Sequence, residues 1–486
     1  MLIGYDSGYL NGVLGSADFQ RRYGVTDDGG YTWYLAPRTR SLFSSLLVVG
    51  TVMGASIPSM LPDKVGRRGC FLLASIFYSV GVSMQAAGPA YTAFILGRVL
   101  TGVGLGIVSV TTPGYLVEIS SNDSRGRIIA AFQQVLTFGN IIACAFSLGT
   151  SELRGANSWR ITVSFQLVLA FIVFLSALVA PESPLLLMRR GKPEQAAKSV
   201  QLLRNQSADS EEVAAAMREI RNWLDDQASL GNASHLECFN GTNLRRTLIG
   251  SVMGLMQMLT GITFWFGYGT TFFQAAGVQN AYLVSLVLAL INSIFTAPSM
   301  YLIEKIGRRS CLFIGGAGMC IFQLATGIVH SCVPHTEASN NMLIVGAVLF
   351  IAAFAATWGP VGWTLMSEPY SARLSTQSMS VALTTYWIGT WAVGFVVPYM
   401  VDSTAGDLGA NVAYFWVGTI TLALTWAYFC VPELSGLSTT EVDAFFEQQV
   451  PAWRSKTWKK QLRTVNGVDI SSEEKQEAIV AETNGY

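Results

Sequence analysis

Two long apolar segments flank the stretch Asp63-Lys64-Val65-Gly66-Arg67-Arg68. A near copy, Glu304-Lys305-Ile306-Gly307-Arg308-Arg309, sits between two more such segments 241 positions later. A helix needs about 20 apolar residues to cross the hydrocarbon of a bilayer. Each flanking segment reaches that length, so each basic turn lies at a membrane face, with no room for a soluble domain. A turn repeated once describes two similar membrane halves. The composition agrees: 51% of the residues are hydrophobic and only 13% are charged, with 47 Gly and 12 Trp. A soluble chain carries about a quarter charged residues, whereas Gly and Trp are both common in polytopic membrane proteins.

In chain order, residues 1–16 read as part of a span, apolar and Gly-rich with Asp6 inside. So few residues precede Asp6 that this segment is expected to be the shortened remnant of a full first helix. Residues 17–40 are polar and read as a loop. Apolar segments follow near 41–61, 69–88, 91–117, 128–149 and 159–180. After a polar stretch, six more fall near 246–274, 281–303, 310–331, 343–367, 376–401 and 411–431. With the short first segment this makes twelve spans. The expected architecture is an all-α polytopic membrane protein of two six-helix bundles, residues 1–180 and 246–431. They are joined by a linker at 181–245 and followed by a polar tail at 432–486.

Charge fixes the sidedness. The short loops at 62–69, 118–127, 304–310 and 368–375 hold Lys64, Arg67, Arg68, Arg125, Arg127, Lys305, Arg308, Arg309 and Arg373. The alternate loops from 88 to 410 hold only Arg154. The positive-inside rule puts the first set, and both termini, in the cytosol. The four Arg of the 17–40 loop are the exception. In the linker, Ala208 to Trp223 opens with Asp, Ser and Glu and carries Val213, Met217, Ile220 and Trp223 at helical spacing. It reads as a capped amphipathic helix lying on the bundle. The glycosylation patterns at Asn205, Asn232 and Asn240 are then chance matches, because acceptors face the lumen. The seven Cys show no metal spacing and the three His are scattered, so no metal or cofactor is expected. A net charge of zero gives no reason to expect nucleic acid.

The repeat extends beyond the turn. Glu118 with Arg125 is echoed by Glu368 with Arg373 at an offset of 250. Pro181-Glu182 is echoed by Pro432-Glu433 at an offset of 251. Three echoes at nearly constant spacing point to duplication, and two membrane halves around a central site describe a transporter that works by alternating access.

These residues resemble the sugar porter family of the major facilitator superfamily, in its fungal form, over nearly the whole chain. The resemblance is carried by Gly4-Tyr5-Asp6-Ser7-Gly8, the two basic turns, Gly97-Arg98, Pro113-x-Tyr115-x-x-Glu118 with Arg125-Gly126-Arg127, and Pro181-Glu182-Ser183-Pro184. It continues through Gln257-Met258-Leu259-Thr260-Gly261-Ile262, Trp358-Gly359-Pro360 with Trp363 and Glu368, and Pro432-Glu433. It implies a multi-pass protein of the plasma membrane, acting as a monomer on a small-molecule substrate. It also implies a gate of ion pairs that closes the cytosolic mouth: Asp63, Arg67, Arg68, Glu118, Arg125 and Glu182 in one half, Glu304, Arg308, Arg309, Glu368, Arg373 and Glu433 in the other. Leu185 stands where the family has Arg, which removes one bond from that set.

Arg98 lies well inside a span, where a cation needs a partner. The resemblance pairs it with Asp6 as the proton-carrying group of a symporter; the alternative is a fixed structural pair. The substrate pocket is implied at Gln133, Gln257, Thr263, Asn292, Trp363 and Tyr386, with Thr390 beside them. Met258, Thr263 and Tyr386 replace family amides, and Ala355 stands where some relatives have Glu. A polar ligand group left unpaired costs about 1–3 kcal/mol, so these changes favour a ligand with fewer hydroxyls, or more bulk, than a hexose. Three functions follow: proton-coupled transport of a sugar or polyol, transport of a quinate-like acid or secondary metabolite on the same scaffold, and a sugar sensor. Sensors of this kind carry long signalling tails. An enzyme is not expected, since no nucleophile–base pair or phosphate loop is visible.

Overall fold

The computed structural model describes residues 1–465 except 27–32, 61, 89, 120–124, 154, 205, 208–209, 231–234, 279, 334–335, 372–373, 403–404 and 438. It leaves out the side chains of 58–60, 62–64, 117, 125–130, 223, 226–230, 235, 300, 376, 439–440 and 463–465. The first bundle contains α1 (Leu2–Gly15), α2 (Ala17–Tyr23), α3 (Pro37–Met60), α4 (Pro62–Ala87), α5 (Tyr91–Ile119), α6 (Arg125–Thr150) and α7 (Asn157–Val179). The connection carries α8 (Pro184–Arg189), α9 (Pro193–Arg204) and α10 (Glu211–Leu230). The second bundle contains α11 (Gly241–Met258), α12 (Ile262–Ala275), α13 (Ala281–Ile306), α14 (Arg308–Cys332), α15 (Glu337–Ala356), α16 (Trp358–Leu365), α17 (Ser375–Val401) and α18 (Val412–Cys430). Short helices α19 (Thr439–Glu447) and α20 (Ser455–Val465) follow. Among the described residues, 11 stretches are long and apolar enough to cross a membrane, with α11–α12 and α15–α16 each counting as one.

Close helix crossings explain much of the glycine content. In the first bundle α3 and α4 pack on α5, α4 also packs on α7, and α1 lies against α6 and α7. At the α3–α5 crossing, Gly50 and Gly54 meet Gly102 and Gly106 so closely that a Cβ on Gly102 would overlap the Leu47 carbonyl. Lipid gives no hydrophobic drive for two helices to associate, so small residues that admit backbone contact supply it through packing. The second bundle is held by α11 on α17, α14 on α15 and α18, and α13 on α15. The two bundles meet along α1–α12, α3–α17 and α6–α13.

Three expectations need correction. The polar segment 17–40 contains α2, a small hairpin of β1 (Val25–Thr26) and β2 (Trp33–Tyr34), and the start of α3. The fully buried Phe19 anchors it, with its ring 5.3–5.7 Å from Phe43, Phe94 and Trp159. Arg21, Arg22 and Arg38 are exposed, and Arg22 and Tyr23 donate to the Gly88 carbonyl. The spans at 246–274 and 343–367 are each broken. Gly261, in the left-handed region at φ 91, ends one helix and starts the next. Thr357 (φ −135, ψ −80) divides α15 from α16, and Pro360 fits the first turn of α16, where its missing N–H is not needed. The stripe of α10 packs not on the bundle but on α9, where Val213, Ala216, Met217 and Ile220 surround Val200; the side chain of Trp223 lies outside the described residues. Beyond these corrections, the start of the polar tail is docked: Val442, Phe445 and Phe446 of α19 pack with Ile249 of α11 and Leu434.

Replacing Gly102 with Leu should force α3 from α5. Overpacking of this kind costs about 1–3 kcal/mol. The expected result is a lower thermal midpoint in detergent, read by intrinsic fluorescence, with a matching loss of monodisperse protein on size exclusion.

Candidate functional site

Each repeated turn is built around a carboxylate. Gly66 has φ 80 and Gly307 has φ 91, and a Cβ on either would overlap the carboxylate of Glu182 or Glu433 respectively. Glu182 accepts the Arg67 backbone N–H at 2.9 Å. Glu433 accepts those of Arg308 and Arg309, both at 3.0 Å. A carboxylate at a helix start satisfies otherwise unpaired N–H groups and faces the positive end of the helix dipole. The guanidinium of Arg67 then pairs with Glu118 at 2.6 Å, and that of Arg308 with Glu368 at 2.8 Å. Arg68 donates to the Leu178 carbonyl near the end of α7, as Arg309 does to Tyr428 and Val431 at the end of α18. These expected gate residues are thus brought together in two matching clusters, each joining helices of one bundle. Glu304 is exposed. Arg373 and the side chains of Asp63 and Arg125 lie outside the described residues.

Asp6 and Arg98 are both buried, 3% and 2% exposed, and 3.2 Å apart. Arg98 also donates to the Tyr9 hydroxyl at 2.6 Å and to the Phe43 carbonyl at 2.9 Å. The Tyr9 hydroxyl donates to Gln85 Oε1, and the Gln85 amide donates to Thr101. The cation therefore keeps two neutral acceptors besides Asp6. Tyr9 was not singled out from the sequence. It lies one turn after Asp6 on the same helix face, which is the spacing that could have found it.

The residues expected to line a pocket are only partly assembled. Gln257 is buried, and its amide donates to the carbonyls of Trp358 and Gly359 at the start of α16. Its Oε1 has no partner among the described residues. Trp363 and Tyr386 lie ring to ring, 5.2 Å between centroids. Thr263 donates to the Met258 sulfur at 3.4 Å, and Thr390 to the carbonyl of Tyr386. Gln133 and Asn292 are half-buried. Their sequence neighbours make the contact: Gln134 Nε2 donates to Ser293 Oγ at 2.6 Å, and Thr137 to the same oxygen at 3.1 Å.

Other ties between the bundles were also not anticipated. At the face opposite the basic turns, Arg40 lies 3.9 Å from Asp402, and Ser41 donates to the Phe395 carbonyl at 2.7 Å. Gln274 and Tyr282 donate to the carbonyls of Gly15 and Gly12. Somewhat deeper, the Thr270 backbone N–H donates to Asn11 and Tyr268 to the Gly394 carbonyl. The last of these lies within the second bundle. Arg40 had been read as a loop charge. Only its position one turn inside α3, facing α17, gives it a partner.

Two outcomes follow for the turns. Glu433→Ala leaves two helix N–H groups without their charged acceptor and should lower stability by about 1.5–3 kcal/mol, seen as a reduced thermal midpoint; Glu433→Gln should lose less. Burial raises the Glu368 carboxyl above its ordinary value of 4.5, more than Arg308 lowers it. The folded chain therefore takes up this proton more readily than the unfolded chain. Its contribution to stability improves as pH falls from above the raised value towards 4.5. Glu368→Gln should be the more stable protein at neutral pH, and its midpoint should converge with that of the wild type on acidification.

Comparison with known proteins agrees with this architecture. The family described as sugar (and other) transporter matches residues 1–446. The high glucose sensor RGT2 of Saccharomyces cerevisiae is 32% identical over 470 residues; the match covers 95% of this chain, which spans 61% of the sensor's length. The probable glucose transporter rco-3 of Neurospora crassa is 32% identical over 94% of this chain and 79% of its own. The major facilitator superfamily proton:xylose symporter XylE, solved with bound 6-bromo-6-deoxy-D-glucose, superposes with a TM-score of 0.73 at 21% identity, over 92% of this chain and 96% of that one. The chain has the major facilitator fold and belongs to the sugar (and other) transporter family, whose relatives here are membrane transporters and a glucose sensor and not enzymes.

Proposed function

We propose that this protein carries a sugar or sugar-like molecule across the plasma membrane by alternating access, with Asp6 taking up a coupled proton. The observation that carries the reading is the distribution of bonds between the bundles. Arg40–Asp402, Ser41–Phe395, Gln274–Gly15 and Tyr282–Gly12 gather at the face opposite the basic turns, whereas the paired charges at the basic face join helices within a bundle. This pattern supports a carrier closed on one side and opening towards the side of the turns, which the positive-inside rule assigns to the cytosol together with both termini. Residues 1–180 and 246–431 are the two moving bodies, and 181–245 and 432–486 lie at the cytosolic face. The charges of the turns become gate pairs across the mouth when the carrier faces outward.

In this reading the substrate binds beside Gln257, whose Oε1 accepts a hydroxyl, and against the Trp363–Tyr386 pair, with Gln133, Thr263 and Asn292 around it. Protonation of Asp6 leaves Arg98 to Tyr9 and the Phe43 carbonyl and loosens α1 from α5. The apolar replacements at Met258 and Tyr386 favour a ligand less hydroxylated than a hexose, including a quinate-like acid. A sugar-binding sensor is the second reading, favoured by the likeness to RGT2.

Uptake into proteoliposomes, with a panel of labelled hexoses, polyols and quinate, separates these readings. A transporter should show counterflow of its substrate, and a sensor should show ligand-dependent stabilisation without counterflow. Accumulation driven by a proton gradient should vanish in Asp6→Asn while exchange persists. An Asp6→Asn protein whose uptake stayed sensitive to an uncoupler would exclude Asp6 as the proton site.

A further inference from the structure

A lateral cavity of about 360 Å³ opens between α11 and α18, at the end where α19 and α20 are docked. Leu244, Leu248 and Val252 of α11 and Trp426 and Phe429 of α18 line it, with Arg245 beside them. Leu244, Leu248 and Phe429 are exposed at the protein surface. They lie on helical stretches long and apolar enough to span a membrane, so this surface meets lipid rather than water.

Arg245 makes the cavity unusual. Its neighbour Arg246 takes the carboxylate of Asp443. Arg245 itself donates from Nη2 to the Val450 carbonyl at 2.8 Å and lies 5.8 and 5.4 Å from the rings of Phe445 and Phe446. Among the described residues it has no carboxylate partner. One carbonyl and two ring faces orient a guanidinium but do not neutralise it, and a planar fork of this kind suits a phosphate. Arg454, next to Trp453 in sequence, is exposed and does not line the cavity. The exposed ring of Trp453, 6.0 Å from Phe429, marks the level where aromatic side chains meet head groups.

We propose that this cavity is a binding site for an anionic phospholipid, with a stretch of acyl chain against Leu244, Leu248 and Phe429 and the phosphate on Arg245. The bound lipid would then bridge α11, α18 and the docked tail. The site is independent of what the protein transports.

The test uses purified full-length protein in nanodiscs of phosphatidylcholine, with or without phosphatidylserine. The readouts are lipids retained in native mass spectrometry and the thermal midpoint. One basic residue near a membrane surface favours an anionic lipid by about fivefold. Retention of phosphatidylserine over phosphatidylcholine should show that ratio, with a higher midpoint. Arg245→Gln should bring the ratio close to one, and Arg245→Lys should keep part of it. Leu248→Trp fills the cavity while leaving the Arg245–Val450 bond, and should also abolish retention; this guards against an effect of Arg245→Gln on tail docking alone. Arg454→Gln should change little. The proposal is overturned if Arg245→Gln and Leu248→Trp both keep the preference, or if Arg454→Gln reduces it equally, which would mean diffuse attraction. It also fails if inorganic phosphate in phosphatidylcholine discs reproduces the stabilisation, which would mean an ion site without a lipid chain.

Discussion

The carboxylate seated on a glycine turn is the constraint from which the rest of each bundle follows. Glu182 and Glu433 occupy the space where Gly66 and Gly307 would carry a Cβ, so the position admits no other residue without displacing the acid. The acid in turn holds the start of a helix through backbone N–H groups. The next residue reaches a second carboxylate on another helix, and the one after that reaches carbonyls near the end of the last helix of the bundle. Three spans are thereby locked at one point. The spacing of the echoes, 63 to 304, 118 to 368 and 182 to 433, is that locking point written twice in the sequence.

Away from the turns the two bundles differ. The first encloses charge: Asp6 and Arg98, with Tyr9, Gln85 and Thr101 extending the network. The second encloses neutral polar groups around broken helices. Gln257 lies one turn before the Gly261 break and bonds to the start of α16, just past the Thr357 break. A helix can be interrupted inside a membrane only where its freed backbone groups find partners, and the Gln257 amide supplies one. The same bonds leave its carbonyl oxygen as the only part of that side chain able to receive a ligand.

Much of this was legible in the sequence because membrane spans obey strong rules. Length, hydropathy and basic turns set the helices; the cost of a lone buried cation calls for a partner to Arg98, and the family resemblance names Asp6 as that partner. The breaks were not legible as breaks, although Gln257–Ile262 and Trp358–Pro360 mark both of them. Apolar residues on each side give one continuous hydropathy signal, and a single glycine or threonine does not interrupt it. The order of α2 was hidden because one buried ring, Phe19, outweighs several charges that stay outside. The tie between Gln134 and Ser293 is hidden in the sequence for a different reason. A helix step of one residue turns a side chain by about 100°, and nothing in the residue types shows which of two adjacent polar groups bonds to the facing bundle.

The seam between the bundles is weaker than the joints inside them, and that inequality gives the fold its mechanical character. At the turns, the backbone N–H bonds to the Glu182 and Glu433 carboxylates contribute about 1.5–3 kcal/mol each. Across the seam, apart from the 3.9 Å Arg40–Asp402 contact, the bonds are neutral: Ser41 to Phe395, Thr270 to Asn11, Gln134 and Thr137 to Ser293. Neutral bonds of this kind contribute about 0.5–1.5 kcal/mol each, and several end on backbone carbonyls that water can equally well satisfy once exposed. The polar bonds along α3–α17, α1–α12 and α6–α13 therefore amount to several kcal/mol, less than the charged joints that hold each bundle together. A difference of that size lies within reach of what a ligand can supply by binding one arrangement better than the other.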